Sequence, residues 1–118
     1  MNGADPSKTF IGGSISTLER LPMITHIALF TWKDGTTPND IVEALQEVKS
    51  LRHKVEGLLA IHCGENFSKW NEGFTHAVVV LAENQDALDA YREHPDHEAV
   101  AAKIEAMEHR GIGIDFKD

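Results

Sequence analysis

From Ile24 onward, apolar and polar positions recur with periods that mark one element after another. Over Ile24–Trp32 the residues Ile24, His26, Ala28, Phe30 and Trp32 share one face of an extended chain, with Ile27 and Leu29 on the other. Lys33-Asp34-Gly35 reads as a turn. Thr37-Pro38-Asn39-Asp40 predicts a helix start, with a hydroxyl cap, proline at the first helical position and a carboxylate three residues after the cap. Ile41, Leu45, Val48 and Val55 take one side of that helix, Glu43, Glu47 and Lys54 lie away from it, and Gly57 is expected to end it. Leu58–Gly64 reads as a second strand, followed by a polar loop around Trp70. Thr75–Ala82 reads as a third, and its run Ala77-Val78-Val79-Val80-Leu81 is apolar on both faces. Asn84 caps a short helix reaching about Glu93, with Leu88 and Tyr91 inward, and Pro95 interrupts it. A further helix starts near Asp96, the simplest cap for it. It carries Val100, Ala101, Ile104 and Met107 as a stripe and stops before Gly111, read as a helix-ending glycine. Ile112–Phe116 is the last strand.

The order strand, helix, strand, strand, broken helix, strand predicts an α+β fold. It is the ferredoxin-like βαββαβ arrangement, a four-stranded antiparallel sheet with helices on one face. Strands 1 and 3 are apolar on both sides, yet the helices cover only one. The helix-free face would be a large exposed apolar patch, so it calls for a homodimer through that face. Residues 1–22 differ from the rest: Asn2-Gly3, Asp5-Pro6 and Gly12-Gly13 punctuate them, and no period is sustained. They read as a flexible N-terminal extension rather than a packing arm, ahead of a single domain over 23–118; Met23, just after Pro22, stands where the true start could lie.

Charge narrows the partners. Eleven Lys and Arg against nineteen Asp and Glu leave a net charge of −8, which repels phosphate backbones and anionic lipid heads. Neither nucleic acid nor a membrane surface is an expected partner, and no apolar run approaches the ~18 residues of a membrane span. Cys63 is the single cysteine and can form no intramolecular disulfide, so a cytoplasmic location is expected.

Candidate chemistry rests on the histidines. His26 and His76 sit near the starts of strands 1 and 3, each on a face with apolar neighbours, where imidazoles on adjacent strands can approach each other. Tyr91-Arg92-Glu93-His94-Pro95-Asp96-His97 adds a phenol and two imidazoles around the helix break. Tyr91, His97, His26 and His76 are therefore expected to line one pocket between sheet and helices. Neutral imidazole takes up a proton near pH 7, and a phenol donates a hydrogen bond to an enolate oxygen. Each also has a plainer reading: a histidine bonded to backbone, a tyrosine in the core. His53 and His109 sit among charges near helix ends and read as solvated. Ser68 and Cys63 lack a nucleophile elbow, and no glycine pattern matches a phosphate loop. His94 and His97 are three apart without the tighter pairs and thiolate or carboxylate of zinc sites, so no metal and no cofactor is expected.

Several stretches, in order, resemble the stress-responsive A/B barrel domain (Dabb) family. They are His26–Gly35, Val55-Glu56-Gly57, Gly73–Val80, Tyr91–His97 and Ile114-Asp115-Phe116. The resemblance covers about residues 23–117 and implies a ferredoxin-like protomer pairing as a dimeric α+β barrel. Most of the family has no established activity. One branch, the olivetolic acid cyclase type of plants, closes a linear β-polyketide thioester by aldol condensation without a cofactor. By that likeness Tyr91 and His97 would be catalytic, with His26 and His76 supporting them. Phe74 stands where the family often has Tyr, which removes one hydroxyl from the pocket entrance. The expected function is a dimeric protein binding a small hydrophobic molecule at His26, His76, His94 and Phe30. The alternative is a cofactor-independent cyclase or isomerase using His97 as base with Tyr91; oxygen-dependent chemistry known among other dimeric α+β barrels is a remoter third. An open, mostly apolar cavity lined by Tyr91, His97, His26 and His76 favours the enzyme. A collapsed core with each imidazole bonded to backbone favours the non-catalytic protein.

Overall fold

Helix starts are set by local capping. Thr37 accepts a hydrogen bond from the Asp40 amide at 3.1 Å, and the Asp40 carboxylate accepts one from the Thr37 amide at 3.5 Å. This box, with Pro38 behind it, launches α1 (Pro38–Ser50). The Asn84 side chain accepts from the Ala87 amide at 2.9 Å and starts α2 (Gln85–Glu93). For α3 (Pro95–Met107) the cap is His94, whose Nδ1 accepts from the Asp96 amide at 3.0 Å. That corrects the expectation for Asp96: Pro95 at the first helical position makes the preceding residue the cap. Asp96 instead lies in the first turn and pairs with Lys54 at 2.7 Å.

This computed structural model describes residues 23–118, so the extension expected over 1–22 lies outside the described residues. The strands are β1 (Ile24–Trp32), β2 (Leu58–Glu65), β3 (His76–Ala82) and β4 (Glu108–Lys117). They form one antiparallel sheet in the order β2-β3-β1-β4, the ferredoxin-like arrangement. Ile24 pairs with Ala82 and Phe30 with His76 across β1 and β3; His26 pairs with Asp115 across β1 and β4.

Two boundaries differ from expectation for local reasons. α1 ends at Ser50 and continues only as a 3-10 turn over Leu51–His53, so Gly57 is not its terminus. Gly57 (φ 91°) enters β2, where its carbonyl accepts from the Glu83 amide at 2.9 Å. A Cβ there would stand 2.7 Å from the Ala87 Cβ, so both backbone sign and close packing demand glycine. Gly111 is likewise not a helix cap but lies inside β4, opposite Phe30. α3 stops without it because the Lys33 amide takes the Met107 carbonyl at 2.8 Å and the Lys33 ammonium takes that of Ala106 at 3.1 Å.

The three helices among the described residues lie on one face of the sheet. Phe30, Ile61, Val78 and Val80 are buried there with Leu45, Val48, Leu88, Val100 and Ile104 from the helices. The opposite face shows Ile27, Leu29, Val79 and Leu81 half-buried, and Ile112, Ile114 and Phe116 about 40% exposed (40%, 41% and 44%).

Candidate functional site

Between sheet and helices lies a cavity of about 210 Å³. Its walls are mostly apolar: Ala28 and Phe30 from β1, Val78 from β3, Val48 from α1, and Val100, Ala101 and Ile104 from α3. The polar groups within it are His26, Tyr91 and His97, and Glu105 and Glu108 complete the lining. Glu105 is exposed, so the cavity reaches the surface at that end.

The helix break at Pro95 does what its position suggests. It turns α3 back on α2, so that the His97 ring meets the Tyr91 ring edge-on with centroids 4.5 Å apart. Tyr91 is buried, and burial pushes its phenol up to about 12, with Cys63 adding to the rise and Arg92 opposing it. It is therefore a hydrogen-bond donor at any physiological pH. Burial also lowers the His97 pKa from 6.5; the charges of His26 and Arg92 reinforce the drop, while the Arg92 backbone and Glu98 oppose it. His97 is thus a neutral imidazole near pH 7. Its Nδ1 is buried with no hydrogen-bond partner, although buried polar atoms are nearly always satisfied; lacking accessible surface, it is not the part of the ring that the cavity reaches.

His26 lies 6.3 Å from Tyr91 between ring centroids. Its Nδ1 stands 2.6 Å from Asp115 Oδ1, Arg92 donates to Asp115 Oδ2 at 2.6 Å, and Arg92 is also 3.3 Å from His26 Nδ1. Arg92 can only donate and the carboxylate only accept, so the shorter contact assigns the Nδ1 proton towards Asp115. Burial alone would raise the Asp115 pKa, but the hydrogen bonds from Arg92 and His26 outweigh it and hold the carboxyl below its ordinary value.

Of the residues expected in one pocket, Tyr91, His97, His26 and Phe30 do come together. His76 and His94 do not. β1 and β3 are antiparallel, so histidines near the start of each lie towards opposite ends of the pair: His76 faces Phe30, and His26 faces Val80. His76 Nδ1 accepts from the Trp32 indole at 3.0 Å and lies 2.9 Å from Thr75 Oγ1. Because indole only donates, that nitrogen carries no proton. Burial lowers the His76 pKa, against an opposing Glu65. His94 is committed to capping α3. Phe74 is buried under the Arg110 guanidinium, 5.1 Å from its ring, and does not line the cavity.

Asp115, Arg92, Glu105 and Glu108 were missed by sequence reasoning. The signal for Asp115 was a register count, since pairing the edge strand β4 along β1 sets it opposite His26. Among the described residues no three His, Cys, Asp or Glu side chains converge to hold a metal ion, and no helix is long and apolar enough to cross a membrane.

Comparison with known proteins agrees with this geometry. The stress-response A/B barrel domain-containing protein HS1 of Arabidopsis thaliana is 29% identical over 80% of this chain and 88% of its own. A structure described as a dimeric ferredoxin-like protein of unknown function from Thermobifida fusca superposes with a TM-score of 0.73. It is 29% identical and covers 82% of this chain and 92% of its own. Hydroxynitrile lyase from Passiflora edulis has a TM-score of 0.76, covering 83% and 94%, but at 13% identity it shares the fold alone. The Stress responsive A/B Barrel Domain profile matches residues 24–118, every element of the sheet and all three helices, and the chain belongs to the Dabb family.

Proposed function

We propose that this protein is a homodimer that binds a small, mostly hydrophobic molecule in the cavity of each protomer, with one polar group of the ligand hydrogen-bonded to His97. The observation that carries the reading is the mostly apolar cavity itself, with the His97 imidazole and the Tyr91 phenol among its few polar groups. The volume sets the scale. An apolar cavity of about 150 Å³ holds benzene, so about 210 Å³ suits a single ring with a short substituent. Pairing through the helix-free face is supported by its row of half-buried and exposed Ile, Leu, Val and Phe side chains, and by the Thermobifida fusca relative being described as dimeric.

A titration with benzyl alcohol followed by NMR tests the cavity. Saturable shifts confined to the Val78, Val100 and Ile104 methyls are expected, and Ala101→Phe, which fills the cavity from α3, should abolish them. Shifts that persist in that variant would place the binding elsewhere.

A second reading is favoured by His97 being held neutral against Tyr91. In a cofactor-independent cyclase or isomerase, His97 would take a proton from carbon next to a carbonyl, and Tyr91 would donate to the enolate oxygen. Turnover of an enolisable β-dicarbonyl thioester, reduced about 10²- to 10⁴-fold by His97→Gln, would select it. No turnover in the parent would leave binding alone.

A further inference from the structure

Building on the cavity reading above, we infer that the site takes neutral or cationic single-ring molecules and excludes anions, with Glu105 and Glu108 as the residues that set this preference. Both carboxylates line the cavity, Glu105 from the last turns of α3 and Glu108 from the first residue of β4. They stand at the C-terminal end of α3, where the helix carbonyls add partial negative charge, and the last turn of α3 has no basic residue. The nearby cations are engaged. Lys33 donates to the Ala106 carbonyl at 3.1 Å, Lys103 pairs with Glu47 at 2.7 Å, Arg92 pairs with Asp115 at 2.6 Å, and Arg110 stacks over Phe74. Inside, the polar groups that line the cavity are the Tyr91 phenol and the imidazoles of His26 and His97.

An anionic ligand entering past Glu105 would meet two like charges and, among the described residues, only the engaged cations named above, in a chain already at −8. A ligand with a hydroxyl or ammonium meets the reverse: polar side chains to bond and two carboxylates that attract a positive charge. The excluded class includes carboxylates, phosphates and acyl groups carried on a phosphate-bearing handle.

Three probes matched in shape test this at neutral pH: benzyl alcohol, benzylamine and benzoate, followed through the Val100 and Ile104 methyls of the full chain. Benzyl alcohol should bind, benzylamine at least as tightly, and benzoate about 10-fold more weakly, with the differences shrinking as salt is raised. In Glu105→Gln/Glu108→Gln benzoate should approach benzyl alcohol and benzylamine should lose any advantage. The single Glu105→Gln change, at an exposed position, should give part of that shift. Benzoate matching benzyl alcohol in the parent, or remaining equally disfavoured in a folded double variant, would overturn the charge preference while leaving the cavity reading intact. Failure of all three probes to shift the methyls would overturn both.

Discussion

One sheet presents two faces of nearly the same composition to different surroundings. On the covered face, Val78 and Val80 are buried under helices, and the polar residues there are drawn into specific partnerships: His26 with Asp115, His76 with Trp32, Tyr91 against His97. On the open face, Ile27, Leu29, Val79 and Leu81 alternate with them along the same strands, only half-buried and, among the described residues, with no layer above. The contrast teaches that burial comes from what the connections carry across a strand, not from the strand's own residues. The helices bring both the cover and the chemistry to one side, and leave the other side a problem of association.

The largest test sets adjacent residues against each other. Val80→Asp places a carboxylate in the core at a position with no exposure and should prevent folding, read as loss of the cooperative transition. Val79→Asp should fold with its circular dichroism intact but run by light scattering at 13.1 kDa, the mass of one chain, where the parent runs at twice that. Equal effects from both would erase the distinction between the faces.

A smaller effect comes from acid. His97 and His76, both on the covered side, have folded pKa values below 6.5, so the unfolded chain binds their protons more readily. Their stabilising contribution is complete above pH 6.5 and declines as pH falls through that value towards the folded ones. Urea midpoints should therefore drop on acidification below 6.5, and His76→Gln/His97→Gln should flatten that drop. Asp115, whose folded pKa is below 3.8, gives up its contribution only in stronger acid, so the two losses separate on the pH axis.

The smallest effects distinguish the two ends of the covered face. Trp32→Phe removes the indole donor from His76 and should lower stability by about 1 kcal/mol without changing ligand affinity. Tyr91→Phe should lower stability by no more than about 2 kcal/mol but weaken benzyl alcohol binding, because Tyr91 lines the cavity.

The elements were legible because their signals are local: the Thr37–Asp40 box, the Asn84 cap, the break at Pro95 and the strand alternation each act within a few residues. Tyr91 and His97 were legible as a pair for the same reason, six residues apart across that break. Residues joined by strand pairing were harder. His76 was grouped with His26 because both lie near strand starts, which antiparallel pairing separates; Asp115 was overlooked because nothing within β4 sets it apart from an exposed carboxylate. Gly57 and Gly111 misled as helix terminators, since the one serves close packing on Ala87 and the other sits opposite Phe30 in a strand.

What matters most is that His97 lines a ligand-sized cavity as a neutral imidazole. The direct measurement is the side-chain ¹⁵N resonance of His97 at pH 7, with and without benzyl alcohol, in the parent and in Ala101→Phe. A neutral imidazole whose ring ¹⁵N resonances move on addition in the parent, and stay fixed in Ala101→Phe, is the result expected. An imidazolium at pH 7, or ring ¹⁵N resonances unmoved while the cavity methyls saturate, would contradict it.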